Sequence, residues 1–188
     1  MEYIIIDNNN IDLCRDGFIK LYQESFSEPP YNETWSYETV LDTWNVHLNN
    51  GLIVVCLFND IVIGFVCGYQ AKLKVTKDID QMTNKLESTN KLLDFDLDKT
   101  IYVSELAVMK EHRGRGIAKT LVAILFNEFK KNGMIHYFMR SDLNNSQSAP
   151  LFIRYFNGKQ MDITVENSSA EILANSASAE KGFWYGPL

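Results

Sequence analysis

The segment Tyr102–Lys119, YVSELAVMKEHRGRGIAK, limits what this chain can fold into more than any other stretch of it. A β-prone run leads through Met109–His112 into Arg113-Gly114-Arg115-Gly116. Beyond the loop, Ile117, Leu121, Ile124, Leu125 and Phe129 recur at three- and four-residue steps, which predicts a helix that stops at Asn132-Gly133. Glycine at 114 and 116 removes Cβ atoms where the backbone turns into the helix, so successive N–H groups can face one anion. The first turn of a helix adds unsatisfied N–H donors and the positive end of the dipole, and Arg113 and Arg115 add charge. Gly114-Arg115-Gly116 alone is compatible with a plain strand-to-helix turn. Strand, basic glycine loop and helix in succession specify a phosphate or pyrophosphate site.

Two familiar phosphate loops fail here at a required residue. A Walker loop needs Gly-Lys-Ser/Thr after four intervening residues, which the segment lacks, so the lysine and metal-binding hydroxyl of triphosphate hydrolysis are missing. A dinucleotide fingerprint GxGxxG beginning at Gly114 needs glycine at 119, where the chain has Lys119. A nicotinamide oxidoreductase is disfavoured on that ground.

The remaining chain reads as alternating elements. Tyr3–Ile6 is a first strand closed by Asn residues, and Cys14, Phe18, Leu21, Tyr22 and Phe26 mark a helix ended by Pro29-Pro30. Thr34 or Ser36 caps a second helix with Val40, Leu41, Trp44 and Leu48 on one face. Leu52–Phe58 and Ile61–Tyr69 form a hairpin about Asn59-Asp60, which sets Cys56 opposite Ile63 and Cys67 opposite Leu52. Residues 71–99 read as an inserted amphipathic helix carrying Ile79, Met82, Leu86 and Leu93, either a solvated excursion or a lid. Ile101–Val108 and Ile135–Arg140 are strands, Ser148–Phe156 is a short helix, and Met161–Val165 and Gly182–Tyr185 are final strands. This order implies an α/β fold with a mixed central sheet, expected as a single domain over 1–188.

Charge and composition narrow the partners. With 18 Lys+Arg against 24 Asp+Glu the formal net charge is −6, which disfavours nucleic acid and anionic membrane. Cys14, Cys56 and Cys67 form no CxxC pair and His47, His112 and His136 are scattered singly, so no metal site is expected. The N-terminus lacks a basic leader, and the longest apolar run, Leu52–Phe58, is far short of the ~20 residues that span a bilayer. A cytoplasmic location is expected. A homodimer is among the oligomeric states left open.

The glycine loop resembles the acetyl-CoA motif of the GNAT N-acetyltransferase superfamily, which reads Arg or Gln, any two residues, Gly, any, then Gly or Ala. Arg113, Gly116 and Ala118 match it, the preceding Glu105-Leu106-Ala107-Val108 and the segment Asn145–Gly158 extend the similarity, and the element order follows the family fold over nearly the full length. The resemblance implies a single-domain GNAT-like fold with a central mixed twisted sheet flanked by helices and a helical insertion between the third and fourth strands. It further implies acetyl-CoA as co-substrate without a metal. Backbone groups of Leu106, Ala107 and Val108 would hold the pantetheine arm. Those of Arg113, Gly114, Arg115, Gly116, Ile117 and Ala118 would hold the pyrophosphate, and Asn145 joins the expected cofactor contacts.

Acetyl transfer to an alkylamine needs a base, because an ammonium of pKa around 10 cannot attack until it loses a proton. Glu105 is the candidate, on the pantetheine strand among apolar neighbours that favour a raised carboxyl pKa, with a carboxylate that faces solvent or pairs with a lysine as its plain alternative. The family tyrosine that protonates the leaving thiolate has no match at the expected spacing from Asn145 or Gly158, so Tyr155, one residue off, is read as acid, spectator or core residue. Between the first two helices, Glu24, Glu28, Glu33 and Glu38 interleave with Tyr31, Trp35 and Tyr37, and carboxylates beside aromatic faces suit a cationic amine of a small molecule or peptide. Glu28, Tyr31 and Trp35 are the expected acceptor contacts. The competing expectation is a non-catalytic acyl-CoA-binding sensor or interaction module with the same fold.

Overall fold

Each apolar run of the sequence becomes an element whose buried face can be named. The computed structural model describes residues 1–29, 31–73, 96–143, 148–166 and 180–188. Along the chain these form β1 (Glu2–Ile5), α1 (Ile11–Ser27), α2 (Tyr37–Asn50), β2 (Gly51–Phe58), β3 (Ile61–Gln70), β4 (Thr100–Val108), α3 (Ile117–Lys131), β5 (His136–Asp142), α4 (Ser148–Phe156), β6 (Lys159–Glu166) and β7 (Glu180–Pro187). Ser36 starts α2 by accepting the Thr39 N–H on its Oγ at 3.1 Å. α1 ends where Glu28 turns to extended backbone before Pro29.

The seven strands form one sheet in the order β1-β2-β3-β4-β5-β7-β6. Every neighbouring pair is antiparallel except β4 and β5, which α3 connects as a parallel crossover. α1 and α2 cover one face, where Phe18, Leu21, Tyr22, Val40 and Trp44 pack on Ile53, Val55, Phe65 and Cys67. On the other face α3 and α4 bring Leu121, Leu125, Phe126 and Phe152 against Val54, Val66, Ile101 and Val103. Burying one such side chain is worth about 1.5–3 kcal/mol, so these two layers dominate the stability of the fold. Gly64 permits the close seating of α3: a Cβ there would meet Ile117 Cγ2 at 3.1 Å and Leu121 Cδ1 at 3.2 Å.

The fold is α/β with a mixed sheet, as the sequence implies, but the hairpin register differs. Cys56 lies opposite Gly64 and Cys67 opposite Ile53, because an irregularity between Cys56 and Leu57 shifts the pairing by one residue. Asn59 and Asp60 both take positive φ, 51° and 61°, as a two-residue hairpin turn of this hand requires. The three cysteines are buried free thiols. The ends of the expected insertion are short 3₁₀ turns, Ala71–Leu73 and Leu97–Lys99, joined where Gln70 Nε2 donates to the Asp98 carbonyl at 2.6 Å. The expected helix through Ile79, Met82, Leu86 and Leu93 lies outside the described residues, as do Pro30 and Asn145. Among the described residues, no helix is long and apolar enough to cross a membrane.

One departure from regular pairing positions the candidate site. β4 pairs with β5 only over Thr100–Val103, while β5 continues alongside β7 to Asp142. The sheet therefore opens at its centre, and Ser104–Val108 runs on without β5.

Candidate active site

The glycine loop takes the conformation its composition allows. Gly114 and Gly116 adopt left-handed φ of 76° and 80°, and a Cβ on either would project into open space. Gly116 begins α3 with no side-chain cap, which leaves first-turn N–H donors of α3 for an anion. Arg113 is held by the end of β4 and by the residue that follows α1: Nε donates to the Val108 carbonyl at 2.9 Å and Nη1 to Glu28 Oε2 at 3.3 Å. Lys110 Nζ reaches Glu28 Oε1 at 3.2 Å. The Lys110 hydrogen bond, then the charges of Lys110 and Arg113, hold the Glu28 carboxyl below the ordinary carboxylate range. Arg115 bonds the Glu111 carbonyl at 3.1 Å and stands outside the cleft wall.

The loop closes one side of a cleft of about 350 Å³. Leu106, Ala107 and Val108 of the open strand form a second side, Phe26 and Tyr31 a third, and Leu151 and Tyr155 of α4 a fourth. Tyr155 is not a core residue. It is 45% exposed, and the Lys119 ammonium lies 4.6 Å from its ring centre, because α4 turns Phe152 inward and leaves this position at the rim.

Glu105 lies on the α1–α2 face of the sheet, opposite Cys67, and is half-buried. The buried Tyr22 hydroxyl is close enough to its carboxylate for the two to interact. Burial first, then the charges of Glu105 and Glu33, push the Tyr22 hydroxyl well above its ordinary pKa, so it stays protonated. Glu33 is itself buried and accepts the Trp35 Nε1–H at 3.0 Å. Gln23 Nε2 fixes the Trp35 backbone by donating to its carbonyl at 2.8 Å, and the Trp35 ring meets Tyr22 edge-on at 5.9 Å. Tyr31 packs edge-on against Phe26 at 4.9 Å. Two carboxylates and several aromatic faces thus gather on the α1–α2 face of β4, where Phe26 and Tyr31 join them to the cleft.

A family model for the GNAT acetyltransferase family matches residues 15–156. The chain belongs to the GNAT acetyltransferase family. Among solved structures, an N-acetyltransferase from Staphylococcus aureus Mu50 superposes with a TM-score of 0.66 at 17% identity, covering 100% of this chain and 99% of the other. The ribosomal-protein-alanine N-acetyltransferase from Brucella melitensis gives 0.65 at 13% identity with 100% of both chains covered. The yncA structure from Salmonella typhimurium, which holds its cofactor acetyl-CoA, gives 0.62 at 13% identity over 100% and 94%. A comparison with curated proteins finds no match in sequence. At these identities the superpositions establish a shared GNAT fold.

Within this GNAT chain the structure brings together Leu106, Ala107, Val108, Arg113, Gly114, Gly116, Ile117, Ala118 and Tyr155 around one cleft. Tyr31 reaches that cleft, Trp35 belongs to the Glu33–Tyr22 cluster, and the Glu28 charge is committed to Lys110 and Arg113. In the sequence Tyr22 reads as a helix-face core residue, and Glu33 is one of four interleaved carboxylates with nothing to set it apart. A single polar atom on an otherwise apolar side chain gives no periodic signal, so Tyr22 was legible only once α1 was seated over Glu105.

Proposed function

We propose that the chain is one acetyltransferase domain that moves the acetyl group of acetyl-CoA to a primary amine of a small molecule or peptide, by direct attack in a ternary complex. The observation that carries this reading is that one open strand, Glu105–Val108, has the glycine-loop cleft at its exposed edge and the Glu105 carboxylate on its α1–α2 face. The loop fits a pyrophosphate: it offers left-handed glycines with open space beside them and an uncapped helix start. Acetyl-CoA supplies an activated acyl group with a thiolate leaving group.

The chain supplies position and a proton acceptor. The ammonium of the acceptor gives one proton to Glu105, directly or through a water, its nitrogen then bonds to the thioester carbonyl carbon as the C–S bond breaks, and the second nitrogen proton passes to the departing thiolate. Tyr22, kept protonated, steadies the Glu105 carboxylate beside it. Glu33, Tyr31 and Trp35 favour a cationic acceptor through charge and aromatic faces. Tyr155, at the rim of the cleft, is the proposed acid for the thiolate, although a thiol-like pKa near ~8.5 lets it leave unaided. Thiol release from acetyl-CoA, measured against polyamines, aminoglycosides, amino acids and peptides, tests the reading. Release with at least one cationic amine is expected, and tight acetyl-CoA binding with no release from any amine overturns the enzyme in favour of a binding module.

A further inference from the structure

The residue just before Glu105 is pinned from the opposite helix. His47 of α2, 2% exposed, places Nε2 2.6 Å from Ser104 Oγ and Nδ1 2.7 Å from the Thr43 carbonyl. A carbonyl only accepts, so Nδ1 carries the ring proton and Nε2 receives the Ser104 hydroxyl. Ser104 Oγ also lies 3.3 Å from the Cys67 carbonyl of β3.

Ser104 is the extra residue of a β-bulge. Cys67 pairs with Glu105 but its neighbour Gly68 pairs with Val103, so Ser104 has no partner of its own on β3. The consequence for side-chain direction can be followed along β4. Val103 belongs to the core under α3, so strict alternation would send Ser104 toward α2 and Glu105 back toward α3. Instead Ser104 and Glu105 both face α1 and α2, and Ala107 follows on that same side. The bulge is what turns Glu105 onto the acceptor face, since a one-residue change of register reverses every side chain beyond it.

We infer that His47 and Ser104 are positioning residues for the acetyl transfer, a two-residue clamp that holds the β4 bulge and so keeps Glu105 aimed at the acceptor amine rather than into the layer beneath α3. The inference rests on the proposed acetyltransferase reading. Neither residue touches a substrate; both act through the direction of Glu105. Outside the bulge, β4 remains anchored to β3 on both sides and to β5 over Thr100–Val103, so loss of the clamp loosens a local feature and leaves the acetyl-CoA cleft in place.

The test uses the full chain and whichever amine supports thiol release. Ser104→Ala is expected to lower kcat about 10- to 100-fold, the scale of an ångström-sized misplacement of a reacting group, with acetyl-CoA Kd by calorimetry unchanged within twofold. Ser104→Thr, which restores an Oγ, is expected to recover most of the rate. His47→Phe keeps a ring of similar size and is expected to match Ser104→Ala, and the double variant to be no slower than either single one, because the two residues form one clamp. Wild-type kcat in Ser104→Ala overturns the inference, as do losses that multiply in the double variant or a fall confined to acetyl-CoA affinity. If His47→Phe does not fold, the alanine and threonine variants at 104 decide alone. A wild-type protein that turns over no amine overturns the acetyltransferase reading and this inference together, whereas an active wild type with an equally active Ser104→Ala overturns only the clamp.

Discussion

Glu28 Oε2 accepts a hydrogen bond from Arg113 Nη1 at 3.3 Å, tying the C-terminal end of α1 to the glycine loop across the cleft. The carboxylate also pairs with Lys110, so two cations beside the glycine loop share one counter-charge. Glu28→Gln removes that charge while the Val108 carbonyl still holds Arg113 Nε at 2.9 Å. Acetyl-CoA is therefore expected to bind about two- to fivefold more tightly at low ionic strength, an advantage that shrinks in high salt. Weaker binding by calorimetry would assign Glu28 to holding Arg113 in place rather than to balancing its charge.

At Gly116 the left-handed φ of 80° and the open space beside Cα leave room for a ligand to approach the backbone. Gly116→Asp puts a carboxylate at the start of α3, where it occupies the anion site and bonds the first-turn N–H groups itself. Acetyl-CoA affinity is expected to drop by at least about 30-fold, roughly 2 kcal/mol, while the helical content of the protein is retained. Calorimetry paired with circular dichroism checks both halves, and unchanged affinity removes the phosphate-loop assignment.

For the proton transfer, Glu105→Gln keeps the shape of the side chain and its contact with Tyr22 but cannot accept a proton. A positioned base is worth about 10²- to 10⁴-fold, so kcat is expected to fall by that range without loss of acetyl-CoA binding. Raising the pH should recover part of the rate, because more of the acceptor then arrives as free amine. Tyr155→Phe is the comparison, with a loss of less than about tenfold expected. Full activity of Glu105→Gln at neutral pH would move the search for the base to Glu33.

Burial holds the His47 imidazole below its ordinary pKa of 6.5, against a smaller opposing effect of its bond to the Thr43 carbonyl. Above that pH the ring is neutral both folded and unfolded and contributes no pH dependence. Below it the unfolded chain takes up a proton that the folded chain refuses, so stability falls with pH until the folded ring also titrates. Urea unfolding between pH 7.5 and 5.5 should show this decline in the wild type and a flatter profile in His47→Gln. Parallel profiles would mean that His47 does not carry it.

How much of this was legible in the sequence divides along a physical line. Local properties were: the three- and four-residue spacing from Ile117 to Phe129 had to produce α3, and glycines at 114 and 116 had to mark left-handed backbone, because periodicity and Cβ sterics are properties of neighbouring residues. The motif at Arg113, Gly116 and Ala118 therefore led to the family before any contact was known. Registers and faces were not legible. The hairpin pairs Cys56 with Gly64 rather than Ile63, and Glu105 reaches the α1–α2 face through a bulge, because a single extra residue reverses which side every later residue faces. In retrospect Ser104-Glu105 carries a trace of it, two polar residues side by side in an otherwise apolar strand.

The sequence by itself determined the order of the described elements, the family and the left-handed glycine loop before α3, since all of these follow from spacing along the chain. Only the tertiary structure decided that Glu28 answers Arg113, that Tyr22 and Glu33 gather at Glu105, and that His47 clamps Ser104. The members of these last three relationships lie 85, 83, 72 and 57 residues apart, and no local pattern encodes which distant side chains a sheet and its helices will bring face to face.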